Sequence, residues 1–153
     1  MFERFTKDAR RIVTDAVTIA RDLGAAGVEA EHLLLAATRG DDPVAGALAA
    51  AGLDEDGLSS ALVMETERSL AAVGVSADAP AFSPYVEKPR LATSAKSALG
   101  GSLRISVERG DKRIGAGHVV LAVLRPSRGT VPRALSLAGV DRDALRDAVA
   151  GSL

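Results

Sequence analysis

The sequence contains no cysteine and no tryptophan, and only two histidines, one tyrosine and three phenylalanines among 153 residues. Without cysteine there is no disulfide and no thiolate chemistry. So few aromatics, set against 47% hydrophobic residues in which alanine and leucine dominate, favour packed helices over strands. A basic excess is missing too: the net charge is −1, whereas surfaces that coat phosphates carry a marked positive balance. The one local basic cluster, Arg104, Arg109, Lys112 and Arg113, encloses Glu108 and Asp111 and reads as a solvated mixed-charge segment. The Arg-Gly-Asp tripeptide at 109–111 reads the same way, so no nucleic-acid partner is expected. Nor does any apolar run approach the ~18 residues needed to cross a bilayer. The opening MFERFTKDARR is charged from its third residue, unlike a signal peptide. A cytoplasmic protein without a membrane partner is expected.

What is present suffices for one core, or for two small half-cores packed together. Thr6 can cap a helix over 6–23, in which Ala9, Ile12, Val13, Ala16, Ala20 and Leu23 recur at helical spacing before Gly24. A second helix runs through EHLLLAAT towards Gly40, and Asp42-Pro43 opens a short third that ends at Gly52. Asp54 caps a fourth running towards Ala72. Residues 75–81 lack periodicity and read as a linker, after which Ser83-Pro84 repeats the signal of a cap followed by proline.

The second half restates the first. His32, Leu35, Ala36 and Arg39 recur 86 positions on as His118, Leu121, Ala122 and Arg125. One added residue shifts the offset to 87, and ALAAAGLDEDGL at 47–58 returns as ALSLAGVDRDAL at 134–145. Keeping the turn glycine, the capping aspartate and the flanking leucines together marks an internal duplication. The expected fold is all-α: a duplicated four-helix repeat forming one pseudo-two-fold domain, with repeat one at 1–74 and repeat two at 82–153.

Two departures stand out. Phe5 precedes His32 by 27 positions whereas Phe82 precedes His118 by 36; with Phe82 as the counterpart of Phe5, nine residues are inserted in the second half, about two and a half helical turns. Pro89 costs ~3 kcal/mol inside a helix, so the first helix of repeat two either begins near Pro89 or kinks there. Gly100 and Gly101 weaken that helix, and with Gly110 they predict a mobile insertion.

MFERFTKDARRIV, EHLLLA and LAAAGLD, echoed by FSPYVEK, IGAGHVVLAVL and LSLAGVD, resemble the N-terminal domain of Clp ATPases, particularly the ClpC type, over nearly the whole chain. The resemblance implies a non-catalytic module that recruits substrates and adaptor proteins to an AAA+ unfoldase and its peptidase. No G-x-x-x-x-G-K-[ST] motif accompanies it here. Two forms are expected: an excised recruiting domain, or a stand-alone decoy or sequestering protein.

In ClpC-type relatives a threonine-glutamate-histidine element in each repeat helps bind phosphorylated arginine. Glu31 keeps the first carboxylate, with Ala30 in place of threonine, while Ala116 and Gly117 leave none in the second. A carboxylate pairs with a guanidinium through two hydrogen bonds and glycine cannot, so at most one phosphoarginine site is expected. The alternative for Glu31 is a solvated carboxylate favoured by the helix dipole. The family's other surface, which in actinobacterial relatives receives cyclic peptide antibiotics, maps onto Phe2, Arg10, Val13 and Phe82, with Glu87 where relatives often carry lysine and Lys88 beside it. Exposed phenylalanines next to a cation suit a peptide hot spot. Phe5 is expected in the core, while Phe2 is divided between packing and recognition and Phe82 leans towards packing.

No cofactor or metal is expected. His32 and His118 have no further ligands at usable spacing and read as buried or capping contacts at helix starts. No G-x-S-x-G element appears. A small hydrolase using Glu31 with His32, and a regulatory dimerisation module, are the readings from other classes.

Overall fold

A computed structural model describes residues 2–76 and 86–153. A single 3-10 turn at Phe2–Arg4 leads into α1 (Lys7–Asp22), followed by β1 (Gly27–Val28), α2 (Ala30–Thr38), α3 (Pro43–Ala50) and α4 (Glu55–Ala72). The second half supplies β2 (Arg90–Leu91), α5 (Thr93–Arg109), α6 (Ala116–Leu124), α7 (Thr130–Leu137) and α8 (Arg142–Gly151). The fold is all-α, as expected. Helix starts follow the anticipated chemistry: the side chains of Thr6, Asp42 and Asp54 accept from the backbone N–H of Ala9, Ala45 and Gly57 at 3.2, 2.9 and 2.8 Å. Each such cap is worth about 1 kcal/mol.

The two helices that carry the repeated phrase form the centre. All nine residues of α6 are buried, and α2 buries everything from His32 to Ala37. They pack on each other, while α1 lays Ala9, Ile12, Ala16 and Ala20 over α2 and α5 lays Ala95, Ala98 and Leu99 over α6. At roughly 1.5–3 kcal/mol for each large apolar side chain, the face that α2 shares with α6 helps hold the two repeats together.

Short parallel pairings cross between the repeats. Gly27 and Val28 pair with Arg90 and Leu91, and Phe5 bridges Ile114. Thr6 N–H donates to the Ile114 carbonyl at 2.9 Å, and Ala92 N–H to the Val28 carbonyl at 2.8 Å. These are one contact made twice, because Thr6 and Ala92, and Val28 and Ile114, stand 86 positions apart.

This register corrects the assignment of the nine extra residues. The backbone position equivalent to Phe5 is Leu91, which precedes His118 by the same 27 positions that separate Phe5 from His32. The extra length therefore lies ahead of Leu91 and not within the repeat, and Phe82, which is outside the described residues together with Ser83, Pro84 and positions 77–81 of the expected linker, is not the counterpart of Phe5. The helix of repeat two begins at Thr93, after Pro89.

The expected mobile insertion is likewise replaced. Gly100 and Gly101 lie inside continuous helix α5, and Gly110 is its left-handed C-cap at φ 75°. Gly101 serves close packing: a Cβ there would stand 3.3 Å from the Ala122 Cβ of α6, tighter than an ordinary contact.

Candidate functional site

The site develops from the two equivalent helix starts. Glu29 N–H donates to His32 Nδ1 at 2.8 Å, and Gly115 N–H donates to His118 Nδ1 at 2.9 Å. Each buried histidine thus satisfies a backbone donor that the helix itself leaves open. An accepting Nδ1 carries no proton, so the ring proton sits on Nε2. His118 directs that nitrogen to Asp111 Oδ2 at 2.8 Å, and this hydrogen bond, with one from Arg109, holds the Asp111 carboxyl below its ordinary value. Both rings thus serve the backbone through Nδ1.

Burial also lowers the His32 pKa from 6.5, against an opposing pull from Glu29. As pH falls below 6.5 the unfolded chain takes up a proton that the folded ring resists, so stability is expected to fall as pH drops towards the depressed folded value. Urea unfolding of wild type and His32→Gln at pH 7.5 and 5.5 checks this. Glutamine at the third helical position keeps a reciprocal cap without titrating, so the variant should lose less stability on acidification; equal losses would overturn the assignment.

Between the start of α2, helix α5 and the α6–α7 loop lies a cleft of about 630 Å³. Glu29, Glu31 and Ser94 line it together with Arg104, Arg125, Arg128 and Arg133, and Ala98, Gly101, Ala122, Val123 and Val131 contribute apolar surface. Ser94 Oγ donates to the Glu29 carboxylate and accepts from Ala30 N–H at 2.8 Å. Ser94 thus fastens the start of α2 to the start of α5. Glu31 forms no ion pair among the described residues. Burial raises its pKa above the ordinary 4.5, with Glu29 and Glu65 acting the same way; its own backbone N–H and Arg133 oppose them. Arg133 itself is engaged by the buried Glu65, Nε to Oε1 at 2.8 Å.

The matching position in repeat two is covered by a side chain that is itself 43% exposed. A Cβ on Gly117 would lie 2.2 Å from Leu153 Cδ2 and 3.4 Å from Val44 Cγ2. A side chain at this position would have to displace the end of Leu153.

The expected peptide surface is brought together in part. Phe2 is 38% exposed, and its ring stands edge-on to Phe5 with centroids 5.0 Å apart at 87°. Arg10 donates to the Phe2 carbonyl through Nη2 at 3.3 Å and Nε at 3.4 Å, fixing the turn that carries the ring. Val13, one turn along α1, is half-buried and packs against the core. Glu87 and Lys88 are exposed just ahead of β2. Sequence reasoning missed Glu29, Ser94 and the arginine wall, although comparing the repeats position by position exposes the charges that only one of them carries.

The chain resembles solved structures over nearly its full length. The N-terminal domain of the caseinolytic protease associated chaperone ClpD from Arabidopsis thaliana has a TM-score of 0.72 at 21% identity, covering 99% of this chain and 95% of that one. The Hsp104 N-terminal domain from Candida albicans has a TM-score of 0.69 at 18% identity, covering 99% and 94%. Both likenesses are of fold. Residues 4–88, more than half of the sequence, match the family model of the Clp repeat (R) N-terminal domain. With the match extending over that share of the sequence, the chain belongs to the Clp repeat (R) N-terminal domains.

Proposed function

We propose that the domain is a non-catalytic peptide-recognition module of the Clp system, engaging substrates or adaptors, with one cleft for a marked basic group. The observation that carries this reading is the asymmetry between equivalent helix starts: a cleft around Glu31, without an ion pair among the described residues, in repeat one, and a glycine covered by Leu153 in repeat two. A partly desolvated carboxylate with no ion pair among the described residues is suited to a guanidinium from outside. The half-exposed Phe2 ring, held against Phe5 and tied down by Arg10, favours a second contact surface for peptides, cyclic antibiotics included. Val13, Phe82, Glu87 and Lys88 belong to the proposed extent of that surface.

Calorimetric titration with free phosphoarginine and, separately, with a ClpC-binding cyclic peptide tests both surfaces. Glu31→Gln is expected to weaken phosphoarginine about tenfold or more, and Phe2→Ala to weaken the cyclic peptide by a similar factor, each leaving the other ligand unaffected. Absence of binding by both wild-type titrations would overturn the reading.

A further inference from the structure

We propose that the arginine wall of the 630 Å³ cleft recognises an acidic peptide segment of a partner protein. This rests on the reading of the domain as a recognition module and adds the chemistry of its partner. The duplication supplies an internal control. In repeat one, Arg39 is neutralised by Glu55, Nη2 to Oε1 at 2.7 Å. Arg125 occupies the place of Arg39 at the offset of 86, but the place of Glu55, at the offset of 87, is taken by Arg142. An arginine cannot neutralise an arginine. Arg142 turns instead to the backbone, where its Nη1 donates to the carbonyls of Arg125 at 3.1 Å and of Pro126. This pins the α6–α7 loop and leaves the Arg125 guanidinium exposed.

Two further cations appear where repeat one has none. Arg104 stands at the position of Thr18, and Arg128 lies in the loop that is one residue longer than its counterpart, where repeat one has Asp41 and Asp42. Both are exposed. Among the described residues, Arg104, Arg125 and Arg128 form no ion pair, whereas Arg109 of the same local sequence cluster pairs with Asp111 and Arg113 donates to the Phe5 carbonyl. In a chain of net charge −1, three unpaired guanidinium groups therefore border a single apolar-floored cleft.

The rest of the lining selects among anions. Glu29 and Glu31 in the same lining would repel a continuous phosphate backbone, and among the described residues no aromatic ring lines the cleft for base stacking. A peptide that spaces carboxylates with apolar side chains meets both the guanidinium wall and the alanine and valine surface. Since the loop is already pinned by Arg142, little ordering accompanies binding.

Fluorescence anisotropy with the whole chain and a fluorescein-labelled peptide of Glu-Leu-Gly repeats tests the proposal, beside a Lys-Leu-Gly peptide and oligo-uridylate. Saturable binding of the acidic peptide alone is expected, weakening as salt rises and falling about tenfold or more in the R125E/R128E double variant, with unfolding curves confirming that the variant is folded. Equal binding by wild type and variant, preference for the basic peptide, or preference for oligo-uridylate would each overturn it. If the acidic peptide fails while phosphoarginine or the cyclic peptide binds, the arginine wall is rejected and the recognition module stands. Binding of the acidic peptide alone upholds the wall and rejects the two ligands proposed above.

Discussion

Phe5→Ala is expected to lower the free energy of unfolding by about 3–5 kcal/mol, a large share of the stability of an ordinary domain. The side chain is only 1% exposed, and its backbone bridges Ile114 across the two repeats. Truncation therefore leaves a cavity at the seam, where each half relies on the other. Leu91 holds the equivalent place but is only half-buried, so Leu91→Ala should lose distinctly less. Urea unfolding monitored by circular dichroism reads both. A loss below about 1 kcal/mol for Phe5→Ala would mean that the seam closes over the gap. The same substitution should loosen Phe2, whose ring rests edge-on against Phe5, so cyclic-peptide binding should weaken at temperatures where the variant is still folded.

Gly57→Ala is expected to cost about 2 kcal/mol, the overpacking penalty exceeding the ~1 kcal/mol by which alanine improves a helix. A Cβ at position 57 would lie 2.2 Å from the Gly52 carbonyl oxygen and 3.0 Å from Asp54 Oδ1. The first obstacle is backbone in a tight turn and cannot swing aside as a side chain can. Repeat two provides the comparison: Ala144 occupies the equivalent position at the offset of 87, behind a capping Asp141 with ψ 110° where Asp54 has ψ 179°. The same cap there is made with the chain entering at a different angle, which admits the methyl group. Thermal unfolding should show Gly57→Ala lowered by several degrees. Ala144→Gly should lose only the ~0.5–1 kcal/mol of helix preference. An unchanged midpoint for Gly57→Ala would show that the first turn opens to the second's geometry without cost.

Most of the helical frame was legible because its signals are local. Asp42 with Pro43, Asp54 and the glycines after α1 and α3 each mark a boundary through their own backbone chemistry. The offset of 86 joins residues that need no tertiary knowledge to compare. The counterpart of Phe5 was not legible, because side-chain likeness pointed to Phe82 while a backbone pairing selects Leu91. Gly100 and Gly101 misled for a related reason: weak helix formers on their own, they sit in α5, where Gly101 allows close approach to Ala122.

Of the proposed site residues, Glu31 stands out in the sequence through its motif, and Phe2 with Arg10 through their place near the first helix. The cleft was hidden, because Arg104, Arg125, Arg128 and Arg133 come from a helix, a loop and the following helix. Only the packing of α5 beside α6 gathers them into one cleft with Glu29 and Glu31. Charge counted along the chain could not reveal that carboxylates of one repeat and arginines of the other line one cleft.

The exchanged strands carry one further implication. β1 finds its partner in β2 of the other repeat, and Phe5 finds Ile114 there, so neither half completes its own hydrogen bonding. Two copies of a single repeat meeting through these same contacts would form an isologous homodimer, and the present chain has the architecture of such a dimer joined end to end. A true homodimer must change both of its clefts with every mutation. Fusion removes that constraint: one cleft can be covered by Leu153 and its twin recharged with arginine, because each now answers to its own stretch of sequence.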